Sequence, residues 1–103
     1  MDVAVFVEGL DDAVVIRVDG DLDMASADEF RDAMARIALG SHVVIDLTSC
    51  TFLDSAGMRV IAATVRQASR VSVVATDPSI LRVLEITAMD TMISVHGSVE
   101  DAR

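Results

Sequence analysis

The fold is decided by the stretch Val43-Val-Ile-Asp-Leu-Thr-Ser-Cys-Thr-Phe-Leu-Asp-Ser-Ala-Gly-Met58. Its first five residues are apolar at every position except Asp46, which is typical of a strand that is covered on both faces of a sheet. Residues 48–55 are predicted to form a loop with an exposed acid and an exposed hydroxyl. From Gly57 the pattern is helical, and its inward positions are Met58, Ile61, Ala62 and Val65. A buried strand, a loop and a helix in this order predict an α/β unit.

Two short β-type runs precede this unit, at residues 3–7 and 13–18, and the polar segment between them predicts an antiparallel hairpin. A helix is expected after residue 24, because Ser26-Ala-Asp-Glu29 has the spacing of a capping box, in which the serine and glutamate side chains satisfy free amides. An ion pair of Asp32 with Arg36 is expected on its outer face, and Gly40 is expected to end it. The predicted inward residues are Ala27, Phe30, Met34, Ile37 and Ala38.

Residues 71–75 form another candidate buried strand, and Asp77-Pro78 predicts an acidic N-cap followed by proline at the first position of a helix. The inward residues of this helix are expected to be Ile80, Val83, Leu84 and Thr87. A last short strand is expected at residues 91–95, and a frayed end at residues 100–103. The expected fold is therefore one α/β domain over residues 1–103, with a central mixed β-sheet, an N-terminal antiparallel hairpin and crossover helices after residues 24, 56 and 77.

Charge and hydropathy exclude several classes of function. Seventeen acidic residues against eight arginines give a net charge of −9, so nucleic acids and anionic membrane surfaces would repel the chain. Apolar runs such as residues 3–7 fall far short of the roughly 20 residues that span a bilayer, and Asp2 stands where a signal peptide carries positive charge. We therefore expect a cytoplasmic protein that neither binds nucleic acid nor inserts directly into a membrane.

No metal, cofactor or disulfide is predicted. Cys50 is the single cysteine and cannot form an internal disulfide, and with two distant histidines it makes no metal cluster. A packing role is expected, and a redox role is the alternative. The acids Asp21, Asp23, Asp46 and Asp54 lack EF-hand spacing and are interpreted as solvated loop acids, except that Asp46 is expected to bond near the loop. Without a Gly-x-x-x-x-Gly-Lys loop or any lysine, no nucleotide site is predicted.

The segment Asp54-Ser55-Ala56-Gly57 carries the strongest signal for function. By local sequence alone, Asp54 or Ser55 could serve only as a helix cap. In its position between a buried strand and a helix, however, the segment resembles the hallmark of the STAS family, which in single-domain bacterial anti-sigma-factor antagonists is Asp-Ser-Ser/Thr-Gly. Further family-like segments follow the same order, namely Gly20-Asp-Leu-Asp23, Val44-Ile-Asp-Leu47 and Leu84-Glu-Ile-Thr87. The resemblance covers nearly the whole chain and implies a STAS-like single domain.

The resemblance implies a regulatory switch between partners. An anti-sigma-factor antagonist binds an anti-sigma factor, a GHKL-type serine kinase or a relative of one, and so frees a sigma factor; the kinase reverses this by phosphorylating the antagonist. The acceptor is the hydroxyl residue before the glycine, and Ala56 in that position cannot be phosphorylated. Ser55 remains open as a displaced acceptor. The implied partner-binding residues are Asp21, Asp23, Asp54, Ser55, Ala56, Gly57, Met58 and Arg59.

Two other hypotheses stay open. One is a STAS subunit of a larger assembly, such as a stress-signalling complex or a lipid-transport ABC system, in which the same surface is a structural contact. The other is a serine hydrolase-type enzyme with Ser55 as nucleophile and His42 or His96 as base. No Gly-x-Ser-x-Gly surrounds Ser55, and His42 is expected at the opposite end of the sheet. The sequence thus predicts a binding protein without catalytic residues, and it leaves a homodimer open.

Overall fold

One mixed sheet forms the centre of the computed structural model, which describes residues 4–10, 12–37 and 40–103. In this part of the chain the strands are β1 (Ala4–Gly9), β2 (Val14–Leu22), β3 (His42–Asp46), β4 (Cys50–Leu53), β5 (Arg70–Val74) and β6 (Ser94–His96). The helices are α1 (Ala27–Ala35), α2 (Ser55–Gln67), α3 (Pro78–Ile86) and α4 (Val99–Ala102), and a 3₁₀ turn spans Met89–Thr91. The predicted α/β fold is confirmed.

The sheet order is β1-β2-β3-β5-β6, in which β1 is antiparallel to β2 and the other neighbours are parallel. β4 lies off this path and pairs in parallel with the carboxyl end of β2. β2 is therefore longer than the predicted run at residues 13–18, and it pairs first with β3 and then with β4. The register shifts between Gly20 and Asp21, where Gly20 has a φ of 108°, a conformation that glycine adopts readily.

The main core lies between the sheet and helices α1, α2 and α3. Phe30, Ile61 and Leu84 belong to these three helices in turn, and each is at most 1% exposed. They pack with inward residues of the strands in one cluster, so that burial of apolar surface drives the docking of the helices. β3 is buried on both faces as predicted, because Val43 belongs to this cluster and Val44 to a second one across the sheet.

The second face of the sheet is partly covered by α4, which the sequence analysis does not predict. Ala102 is 2% exposed, and it packs with the other buried members of this cluster, Ala13, Val15, Val44 and Val74. The Ser98 side chain caps α4 by accepting a hydrogen bond from the amide of Asp101 at 3.2 Å. The expected frayed end at residues 100–103 is wrong, because the chain returns to cover apolar strand residues.

Helix α1 begins and ends differently from the prediction. Ser26 is its N-cap residue, but the serine side chain makes no capping hydrogen bond, so the capping box with Glu29 is wrong. The hydroxyl is engaged by the preceding loop, as described below. The helix ends at Ala35 rather than close to Gly40, which adopts a φ of 82° in the connection to β3.

The two faces of α1 are largely as expected. Of the predicted inward residues, Ala27, Phe30, Met34 and Ile37 are buried, and Ala38 lies outside the described residues. On the exposed face, Arg31 pairs with Asp28 at 2.6 Å, three residues apart. The expected pair of Asp32 with Arg36 is not found among the ion pairs of the described residues.

Downstream, the predicted start of α3 is confirmed, because Asp77 accepts a hydrogen bond from the amide of Ser79 at 2.8 Å and proline follows it. The predicted loop at residues 48–55 is wrong in part, since it contains β4. Thr87 is exposed rather than inward. The last strand covers Ser94–His96 and not residues 91–95, because the chain first makes the 3₁₀ turn. The first strand runs from Ala4 to Gly9, two residues past the predicted end at residue 7, and residue 3 lies outside the described residues.

Candidate functional site

Residues 54–57 lie at the carboxyl edge of the sheet, where β4 ends and α2 begins. Asp54 is the N-cap of α2, and its Oδ1 atom accepts hydrogen bonds from the amides of Ala56 at 2.9 Å and Gly57 at 3.0 Å. The amide of Asp54 donates to the carbonyl of Leu22 at 3.3 Å. The aspartate therefore satisfies amides that have no partner within the helix, and it also ties the start of α2 to the end of β2.

Gly57 sets the distance between α2 and the sheet. A Cβ atom at this position would overlap the carbonyl oxygen of Leu22 and would lie 2.6 Å from Cδ1 of Leu53. A backbone oxygen held in a sheet cannot move aside cheaply, so any side chain would force the first turn of α2 outward. The glycine is therefore required by packing within this chain, whatever its role in binding.

The loop between β2 and α1 is held by its own side chains. The Asp23 carboxylate accepts hydrogen bonds from the amides of Ala25 at 3.0 Å and Ser26 at 3.1 Å. The buried hydroxyl of Ser26 donates to the carbonyl of Asp21 at 2.6 Å and accepts from the amide of Asp23 at 2.9 Å. A turn lacks the regular backbone hydrogen bonds of a strand or helix, so these side chains satisfy its amides and carbonyls instead. The loop is therefore defined by local hydrogen bonds.

β4 links this loop to residues 54–57, the signature segment. Thr51 Oγ1 donates to Asp21 Oδ1 at 2.6 Å, across the β2–β4 pair. Cys50 is buried, and its Sγ atom donates to the carbonyl of Phe52 at 3.2 Å. Burial raises the pKa of the Cys50 thiol, which disfavours the reactive thiolate. The cysteine is thus placed for packing, as the sequence predicts.

Asp46, at the end of β3, also serves the backbone. It is 8% exposed, and its Oδ1 atom accepts hydrogen bonds from the amide of Thr48 at 3.0 Å and from the Thr48 hydroxyl at 2.7 Å. The carboxylate thereby shapes the turn that leads into β4. This placement confirms the expectation that Asp46 bonds near the loop.

All of the expected partner-binding residues come together at this edge, but they differ in exposure. Ser55 and Arg59 are exposed, Asp21, Asp23, Asp54 and Ala56 are half-buried, and Gly57 and Met58 are buried. The Met58 side chain is 7% exposed and belongs to the main core. A direct contact between Met58 and a partner therefore does not fit this arrangement, and the side chain instead supports the start of α2.

Two apolar side chains at the same edge escape the sequence analysis. Met24, in the loop before α1, is 79% exposed, and Phe52, in β4, is 51% exposed. The run Cys-Thr-Phe-Leu contains the residue types that favour strands, and this signal could have identified β4 and the position of its aromatic residue. Met24 lies in a loop between Asp23 and Ala25, outside any strand or helix, so periodicity gives no indication of its exposure.

The arrangement does not assemble a serine nucleophile with a histidine base. His42 lies at the start of β3, at the opposite end of the sheet from Ser55, and its Nε2 atom is 3.0 Å from Ser72 Oγ. Its Nδ1 atom lies 3.1 Å from the Arg70 guanidinium. Among the hydrogen bonds of the described residues, neither His42 nor His96 is joined to Ser55. The geometry gives no specific support to hydrolysis.

The described residues offer neither a metal-binding cluster nor a membrane-spanning helix. They contain no group of three or more His, Cys, Asp or Glu side chains arranged to hold a metal ion. In the same ranges, every helix is too short or too polar to span a bilayer.

Known proteins share both the sequence pattern and the fold. The family model for the STAS domain matches residues 4–102. An anti-sigma factor antagonist from Mycobacterium paratuberculosis is 28% identical, with a TM-score of 0.90 over 98% of this chain and 91% of that chain. An anti-sigma-factor antagonist (STAS) domain protein from Planctomyces limnophilus is 19% identical, with a TM-score of 0.77 over 95% of this chain and 92% of that one. The anti-sigma factor antagonist SpoIIAA in its unphosphorylated form is 17% identical, with a TM-score of 0.70 and the same coverage of 95% and 92%. The chain belongs to the STAS domain family.

Proposed function

We propose that this protein is an anti-sigma-factor antagonist, which binds an anti-sigma factor of the GHKL-kinase type, or a relative of one, and so releases a sigma factor. The observation that supports this most is the similarity to the antagonist from Mycobacterium paratuberculosis, which extends over 98% of the chain at a TM-score of 0.90. Because one fold can serve many functions, the proposal also depends on the local geometry of the signature segment.

The proposed binding surface is the signature surface, defined as Asp21, Asp23, Asp54, Ser55 and Arg59. Its three carboxylates are engaged in hydrogen bonds that hold its loops, and the exposed Ser55 and Arg59 lie on the first turns of α2. A surface that is ordered before binding loses little conformational entropy when a partner docks. This arrangement suits recognition of a protein better than it suits chemistry.

Ala56 determines how such a complex could be regulated. It stands at the family's acceptor position, and its methyl group cannot accept a phosphoryl group. Phosphorylation there would add close to two negative charges beside the Asp54 carboxylate and would disrupt docking by repulsion and desolvation. Without the acceptor, we expect the protein to stay competent for binding in the presence of ATP.

Ser55 is exposed and adjacent, but it does not replace the missing acceptor in this proposal. Successive side chains of an α-helix project about 100° apart, so the Ser55 hydroxyl points away from the direction taken by residue 56. Phosphoryl transfer requires close alignment of the attacking oxygen with the nucleotide. We therefore expect Ser55 to remain unmodified.

The test is affinity capture of the tagged protein from a lysate of its source organism, with identification of the bound proteins by mass spectrometry. The captured protein and this chain are then purified, mixed with ATP and analysed by intact mass. A GHKL-type anti-sigma factor that binds without adding phosphate supports the proposal. Transport or stress-complex subunits in its place would favour the assembly-subunit hypothesis, and phosphate on Ser55 would contradict a permanently competent state.

A pair of variants localises the contact. Ser55→Tyr places a bulky ring on the signature surface, whereas Ser69→Tyr places the same ring on an exposed position near the start of β5, at the other end of the sheet. We expect the first variant to lose binding to the purified anti-sigma factor and the second to retain it. Equal binding by both would place the contact elsewhere on the protein.

A further inference from the structure

We propose that Phe52 and Met24 are the apolar anchors of the complex, and that they insert into an apolar socket on the partner whose rim carries arginine or lysine side chains. This inference rests on the proposed function and adds to it the residues that supply affinity and the chemistry of the partner's surface.

Phe52 and Met24 are exposed apolar side chains. Phe52 is 51% and Met24 is 79% exposed, although apolar residues close to them in the chain, Leu53 at 4% and Leu22 at 0%, are buried. Aromatic residues and methionine are enriched at protein interfaces relative to the rest of the surface. The cost of keeping these two side chains in water is recovered if a partner covers them.

Phe6, the other exposed aromatic residue of the described ranges, differs from Phe52 in its surroundings. The ring of Phe6 is covered by the guanidinium of Arg17, which lies 4.5 Å from its centroid. Within the described residues, no guanidinium lies over the ring of Phe52. Phe6 thus has an internal cation–π partner, whereas the ring of Phe52 is available to another molecule.

Phe52 and Met24 both lie where β2 ends. Phe52 is the register partner of Asp21, and Leu53 is the register partner of Leu22, the last residue of β2. Met24 follows Leu22 by two residues and therefore lies at the same edge of the sheet. The β2–β4 pairing holds the backbone at Phe52, and the side-chain hydrogen bond from Thr51 to Asp21 joins the two strands beside it. Both anchors are therefore presented on ordered backbone next to the signature surface, as is typical of side chains that contribute most to binding.

The charges around the anchors specify the rim of the socket. Asp21 adjoins Phe52 across the strand pair, and Asp23 precedes Met24 in the chain. The whole chain carries a net charge of −9. A partner that covers these anchors with basic side chains around the socket would complement the carboxylates and would be attracted over a distance. Neutral or acidic surfaces would desolvate the carboxylates without supplying a positive charge to compensate them.

The experiment measures binding of the purified anti-sigma factor by calorimetry to four single variants. Phe52→Ser and Met24→Ser remove the anchors, while Ile86→Ser and Met92→Ser remove side chains of comparable exposure, 69% and 54%, that lie at the end of α3 and beside the start of β5. We expect each anchor variant to weaken binding by about tenfold or more and each control to change it by less than about threefold. Because all four residues are exposed, the variants should fold, which circular dichroism verifies.

A second measurement tests the rim. The affinity of the wild-type chain should fall as salt is raised from low to physiological concentration, and Asp21→Asn should reduce this dependence. Affinity that is independent of salt would overturn the basic rim.

The outcomes separate this inference from the proposed function. If the wild-type chain binds an anti-sigma factor and the anchor variants bind equally well, the proposed anchor role of Phe52 and Met24 is contradicted, while the proposed function is retained. If the wild-type chain binds no anti-sigma factor, the function is wrong and the anchors with it.

Discussion

Gly57, in the first turn of α2, lies so close to the carbonyl oxygen of Leu22 that a Cβ atom would overlap that oxygen. The contact joins two residues that are distant in sequence, and it sets α2 directly against the β2–β4 strand pair. The position of Ser55 and Arg59, which are on the same helix, depends on it.

Gly57→Ala is therefore expected to lower the free energy of unfolding by about 1–3 kcal/mol, because an added methyl group in a packed site forces the backbone to shift. Urea unfolding gives the difference. The matched control is Gly97→Ala, since a Cβ atom at Gly97 would meet nothing within 4 Å. Equal stability of the two variants would show that α2 can move away without cost.

Asp54→Ala removes the side chain that accepts from two amides at the start of α2. The loss of an N-cap of this type costs about 1 kcal/mol, and Asp54→Asn should retain most of the stability because its amide oxygen can still accept. Thermal unfolding of the two variants measures both effects. A larger loss for asparagine than for alanine would contradict a capping role.

Ser26→Ala tests the loop before α1. The substitution leaves the carbonyl of Asp21 without its 2.6 Å donor at a buried site, which should cost about 1–3 kcal/mol. Ser98→Ala, at the N-cap of the short terminal helix, is the control and should cost less, since the bond it makes is exposed and 3.2 Å long. Chemical denaturation compares them, and the opposite order would show that the Ser26 hydroxyl is not important for the loop.

His42 predicts a dependence of stability on pH. Desolvation by burial and then the charge of Arg70 lower its pKa below the usual 6.5, while the nearby Asp12 acts in the opposite direction. Because the unfolded chain binds the proton more readily, the stabilisation is complete above about pH 6.5 and is lost as the pH falls from there through the folded pKa. The difference in unfolding free energy between wild type and His42→Gln should shrink over that range.

The pKa of His42 can also be followed directly by NMR titration of the imidazole. Arg70→Gln removes the second cause of the shift and leaves burial in place, so the pKa should rise toward the usual 6.5. A His42 pKa at or above that value in the wild-type chain would contradict the burial of the ring beside the guanidinium.

Ala56→Ser tests the missing acceptor. If the partner is an active kinase, this substitution should restore phosphorylation at residue 56, and intact mass after incubation with ATP should increase by one phosphoryl group. The residue is half-buried and its amide is already bonded to Asp54, so the small hydroxyl should be accommodated. An unmodified Ala56→Ser chain beside an active kinase would show that the acceptor position is not used in this protein.

The local pattern of the sequence was sufficient for much of the architecture. The apolar run of β3, the helical spacing of α2 and the Asp77-Pro78 start of α3 depend on residues that are close together in the chain, so their own chemistry specifies them. The signature segment was recognisable for the same reason, since its aspartate caps the helix that follows it directly.

The tertiary structure decided which of the competing local arrangements was used. β4 exists because the end of β2 offers a free edge, and the Ser26 hydroxyl turns from its own helix to the Asp21 carbonyl because β2 places that carbonyl beside it. Met58 is buried and Phe52 exposed at one edge for a similar reason: their surroundings come from other elements. Local sequence thus determined the main elements and the signature, while pairing and packing between distant residues determined β4 and the surface that a partner would meet.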